Sequence, residues 1–110
     1  MTHVTLFWEN QGLVGLESRG HSGQKPKGED VVCAAVSTLV QALLVGLRDV
    51  AKASGDVVCE MNDSIPLIRV EWAKSRAREL DLLTRTIALS LKEIASGYAG
   101  HVSVSEVHRS

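Results

Sequence analysis

A chain of 110 residues with a formal net charge of −1 has room for one hydrophobic core and no second domain. Its 45% hydrophobic and 23% charged residues, with two prolines, exclude the polar balance of disordered chains. The near-zero charge removes the broad attraction on which sequence-independent nucleic-acid binding depends, so no direct nucleic-acid partner is expected.

In chain order, residues 1–10 hold neither a basic n-region nor an apolar h-region, and no secretory signal is expected. Val4, Leu6 and Trp8 alternate with Thr5, Phe7 and Glu9, Asn10-Gln11-Gly12 supplies a turn, and residues 13–19 resume an extended pattern. This reads as a hairpin. Residues 20–29 follow with Gly20, Gly23, Pro26 and Gly28, a loop without helical or strand period that begins at His21.

Asp30 is placed to cap a helix in which Val32, Val36, Leu39, Val40, Leu43, Leu47 and Val50 recur at three-and-four spacing. The run 31–47 is short of a membrane span and contains Ser37, Thr38 and Gln41, so a buried helix in a cytoplasmic protein is expected, stopped at Ser54-Gly55-Asp56. Residues 57–61 and 67–72 form a second extended pair around Asn62-Asp63-Ser64. Ser75 then caps a helix striped with Leu80, Leu83, Ile87, Leu91 and Ile94, and residues 101–107 close as a strand.

The expected fold is α+β, a two-layer sandwich in the order β-β-α-β-β-α-β. An antiparallel or mixed five-stranded sheet carries both helices on one face.

Chemistry concentrates where the loop meets the first helix. A histidine on a glycine-rich turn and a cysteine in the first turn of a helix are the parts of a thiolate nucleophile and its base. With Asp30 as cap, Cys33 occupies the third helical position, where unpaired N–H groups and the helix dipole favour an anion and are placed to hold an oxyanion. The second strand ends at Gly20, so His21 leaves the sheet where the chain turns back toward Cys33. Ser37 lies one helical turn further on, either orienting the sulfur or bonding the carbonyl of Cys33. Asp30 either orients His21 or only caps. From the residues alone, Cys33 as a small core residue stands beside the catalytic reading.

Cys59, between Val58 and Glu60, reads as packing. The remaining histidines show no i, i+4 pairing and there is no Cys-x-x-Cys, so no metal is expected. The glycine loop lacks the P-loop spacing, and the four aromatic positions are scattered. Lys25, Lys27, Arg76 and Arg78 form either a local basic patch or solvated turns. In a reducing cytosol, Cys33 and Cys59 are expected to remain thiols.

Gly20-His21, an interval containing Gly28, and Asp30-Val31-Val32-Cys33-Ala34-Ala35-Val36-Ser37 resemble the signature of the ribosomal-processing cysteine protease family (Prp), small bacterial proteins of about this length. The resemblance implies a cytoplasmic, cofactor-free, homodimeric Cys/His protease that removes an N-terminal extension from a large-subunit ribosomal protein. By position it makes Cys33 the nucleophile and His21 the general base, puts Ser37 where the family has a serine near the site, and makes the loop a cover for the substrate. The rival from another class is a non-catalytic ribosome-assembly or peptide-binding module with Cys33 in its core. A Cys33–Cys59 redox sensor is a third.

Overall fold

The computed structural model describes residues 1–10, 12–20, 29–62 and 67–109. Strands β1 (Thr2–Glu9) and β2 (Gly12–Arg19) form the first hairpin, followed by α1 (Glu29–Val45). Strands β3 (Val57–Asn62) and β4 (Leu67–Trp72), helix α2 (Asp81–Gly97) and β5 (Val102–His108) complete the expected order.

The five strands lie in the order β3-β4-β2-β1-β5, with β5 parallel to β1 and every other pair antiparallel. The sheet is therefore mixed. Each helix connects two strands that run the same way without touching: α1 joins β2 to β3 across β4, and α2 joins β4 to β5 across β2 and β1. The second crossover starts from a strand of opposite direction and travels the opposite way along the sheet. Under the right-handed rule those two reversals cancel, which delivers both helices to one face.

That face holds the core. Val4 and Leu6 of β1, Leu16 of β2, Val70 and Trp72 of β4 and Val102 of β5 meet Val36, Val40, Leu43 and Leu47 of the first helix and Ile87 and Leu91 of the second. The helical run beginning at Val31 continues through a π turn to Val50, making it long and apolar enough to cross a membrane by length and composition (mean hydropathy 1.9). The apolar stretch, expected over 31–47 and short of a span, thus extends three residues further. Of its apolar stripe, Val32, Val36, Val40, Leu43 and Leu47 are buried, whereas Val50, expected on the same face, is exposed where the run ends.

Lys52, not Ser54-Gly55, ends this run. Its φ of 55° is left-handed, and the Ala53 N–H donates to the Leu47 carbonyl at 2.8 Å, closing the helix end in the manner usually left to glycine.

Two further expectations give way to packing. Ser75 caps nothing: residues 74–76 form a short 3-10 turn, and α2 starts at Asp81 after Leu80, which makes no side-chain cap. The reason is that Ala77 is buried with Phe7 and Val14 on the opposite sheet face while Leu80 enters the main core, so they cannot share one helical stripe. Arg76 pins this turn, donating to Glu79 at 2.7 Å, to Asp56 at 3.2 Å and to the Ala51 carbonyl at 3.3 Å. It is an internal staple rather than part of a free basic patch. Cys59, expected to pack, is exposed, because β3 is an edge strand that the helices do not reach, and five of its six residues are exposed.

Thr84, on the buried face of α2, has a side-chain oxygen that meets no hydrogen-bond partner among the described residues. Valine has nearly its shape and no polar atom to satisfy, so Thr84→Val is expected to raise the free energy of urea unfolding by about 1 kcal/mol. A loss of stability would mean that the hydroxyl is bonded.

Candidate active site

Helix α1 begins at Glu29, one residue earlier than its predicted cap. Asp30 therefore lies inside the first turn and Cys33 in the second. In a helix starting there, the unpaired N–H groups belong to the first turn, and the N–H of Cys33 points back along the hydrogen-bond ladder. The dipole fades within that turn. Backbone stabilisation of an anion at Cys33 is thus less direct than the sequence suggested.

The half-buried thiol of Cys33 is free and has a side-chain partner. Its Sγ lies 3.0 Å from Oγ1 of Thr2, at the start of β1. Thr2 is only 3% exposed. Its backbone is fixed from the far side, where its N–H donates to the His101 carbonyl at 3.0 Å and it is paired with Val102 in the parallel ladder.

Gly20 closes the same corner. A Cβ at that position would stand 3.2 Å from Thr2 Oγ1, tighter than side chains normally pack. The absent side chain lets the strand end pass directly against the hydroxyl that touches Cys33. Gly20 and Cys33 therefore both approach the Thr2 hydroxyl. His21, the next residue, lies outside the described residues, and so do the expected covering loop and any contact between His21 and Asp30.

Ser37 lies one turn beyond Cys33 and is exposed. The helical back-bond in this stretch is made by its neighbour, Thr38, which donates to the Ala34 carbonyl at 2.8 Å. Thr2 went unremarked in the sequence reading. The signal was its parity: it falls on the same strand face as Val4 and Leu6, a polar residue aimed at the core side. Among the described residues, no three His, Cys, Asp or Glu side chains gather closely enough to hold a metal ion.

The opposite sheet face carries charge. Arg69 and Arg109 flank the Phe7 ring at 4.9 and 4.4 Å, and both reach Glu71, at 3.0 and 2.8 Å. The hydrogen bond from Arg109 holds the Glu71 carboxyl below the ordinary glutamate range, Arg69 adds to this, and partial burial opposes it. A carboxyl whose folded value is lowered contributes stability that is complete above its unfolded value and is lost as pH falls through the folded one. Urea unfolding followed from pH 7 downward is expected to show wild type losing about 0.5–1 kcal/mol more than Glu71→Gln, the modest size of a partly exposed pair. Parallel curves would remove Glu71 from the acid response.

A family model described as cysteine protease Prp matches residues 1–103. Among solved structures, the essential ribosomal-processing protease Prp from S. aureus, in complex with a substrate peptide, superposes with a TM-score of 0.84 at 18% identity, covering 97% of this chain and 100% of that one. A protein from Streptococcus mutans superposes with a TM-score of 0.87 at 24% identity, covering 99% and 96%. The S. aureus protease with a covalently linked product peptide gives 0.78 at 17%, covering 97% and 100%. No curated protein sequence matches significantly. At these identities the superpositions speak for the fold, while the family match extends over nearly the whole chain. That match places the chain among the cysteine proteases. Within them, it belongs to the Prp family.

Proposed function

We propose that this protein is a cytoplasmic cysteine endopeptidase that removes an N-terminal segment from a large-subunit ribosomal protein, with Cys33 as nucleophile and His21 as general base and acid. The observation that carries this reading is the free, half-buried Cys33 in the second turn of α1, beside the strand end that leads into His21, within a chain matched to the Prp family over residues 1–103. The peptide bound to the structurally similar S. aureus protease supports a peptide substrate.

The Cys33 thiolate attacks the scissile carbonyl, and the tetrahedral oxyanion that forms is within the chemistry of the first-turn N–H groups of α1. His21 protonates the departing amine as the C–N bond breaks, leaving a thioester on Cys33. His21 then takes a proton from the water that hydrolyses the thioester and regenerates the thiol. Neither metal nor cofactor enters these steps. Two free cysteines fit a reducing compartment, and the family resemblance implies a homodimer.

The test is incubation of wild type, Cys33→Ala and His21→Ala with the same organism's large-subunit ribosomal protein bearing its intact N terminus, read by intact mass. A defined N-terminal peptide released by wild type alone is the expected result and identifies the cleavage site. Substrate left whole by all three, yet bound, would replace the protease by a binding module.

A further inference from the structure

We infer that Thr2 is a positioning residue for the Cys33 nucleophile: its buried hydroxyl donates to the sulfur and fixes its direction of attack. The role of Cys33 rests on the proposed function; the donation to its sulfur does not.

Three observations carry this. Sγ and Oγ1 are 3.0 Å apart, and either atom can donate while the sulfur is protonated. A thiolate has no proton to give, so ionisation leaves Thr2 as the only donor of the pair. The hydroxyl is also preset. Thr2 is 3% exposed, its N–H is held by the His101 carbonyl, and the Gly20 backbone approaches Oγ1 so closely that a Cβ there would stand only 3.2 Å away. Finally, Cys33 lies one turn inside α1, where its own N–H is committed to the ladder, so the preset hydroxyl assumes part of what a helix start would have supplied.

Among the described residues, no titratable side chain duplicates this contact. His3 follows on β1 with opposite parity, its Nδ1 2.7 Å from the Ser103 hydroxyl. His101 meets Thr2 through its backbone carbonyl. His21 adjoins Gly20 in the chain and is the base of the proposed reaction.

The experiment follows iodoacetamide alkylation of Cys33 against pH in a Cys59→Ser background, comparing Thr2, Thr2→Val and Thr2→Ser, with peptide release measured on the same proteins. In Thr2→Val, alkylation of Cys33 near neutrality is expected to fall about tenfold. Peptide release should fall through kcat more than KM, and Thr2→Ser should restore both. Should Thr2→Val fail to fold, Thr2→Ala is read in the same way. A superimposable alkylation profile in a folded valine or alanine variant overturns the inference. Because alkylation needs no substrate, it answers even if Cys33→Ala still releases the peptide, an outcome that would instead remove Cys33 as the nucleophile.

Discussion

Cys33→Ala is expected to lower the rate of peptide release by about 10⁴-fold or more, the scale on which covalent catalysis collapses when the nucleophile is removed. Stability should fall by only about 1 kcal/mol, the cost of leaving the buried Thr2 hydroxyl without its partner. Cys33 is half-buried, its side chain is small, and Thr2 loses a partner while keeping its backbone anchors to His101 and Val102. Activity and urea midpoint therefore separate in this variant. Alkylation sharpens the result, because Cys59 is the more exposed thiol. If exposure governed reactivity, Cys59 would be labelled first. Under the catalytic reading, one equivalent of iodoacetamide at neutral pH labels Cys33 first, and activity falls in step with that label. Labelling of Cys59 with full retention of activity would contradict it.

The elements were legible in the sequence because each carries its own period. Val4, Leu6 and Trp8 mark β1, the Val32–Val36–Val40–Leu43–Leu47 stripe marks α1, and residues 67–72 match β4 without adjustment. Partner choice was not legible, since which strands pair is decided by contacts far apart in the chain. Nothing local to residues 102–108 says that they lie parallel to β1, and nothing local to residues 57–62 says that they form an edge. The error at Cys59 follows from this: alternation tells which face a residue takes, not whether a helix covers that face.

The site shows the same division. Cys33 and Gly20 stood out through residue type and glycine chemistry. Thr2 did not stand out, although parity turned it inward, because its partner lies 31 positions away. The Ser75 cap failed for a competing reason: cap chemistry is worth about 1 kcal/mol, which burial of Ala77 and Leu80 on two different faces readily outweighs. Local signals at a helix start hold only where packing does not need the chain elsewhere.

Trp72 should give the largest stability effect. It ends β4 with 4% exposure, and its indole N–H donates to the Leu13 carbonyl at 2.8 Å in a buried bond. Leu13 adjoins the irregularity where Trp8 pairs with Leu13 and Phe7 with Gly15, leaving Val14 as the extra residue. Bulges interrupt the ladder, and the indole supplies a carbonyl partner at that break. Trp72→Phe keeps an aromatic ring but leaves the carbonyl without this donor, so unfolding is expected to become easier by about 2 kcal/mol. Trp72→Ala also opens a cavity and should cost about 3–5 kcal/mol, a large share of the 5–15 kcal/mol typical of a whole domain. A phenylalanine variant as stable as wild type would show that the indole bond contributes nothing. The register places Thr2 and Gly20 at the end of the sheet where Arg19 pairs with Leu67, five residues along β4 from Trp72, or about 17 Å. Peptide release per folded molecule should therefore stay near the wild-type rate in Trp72→Phe, while the folded fraction falls as denaturant is added.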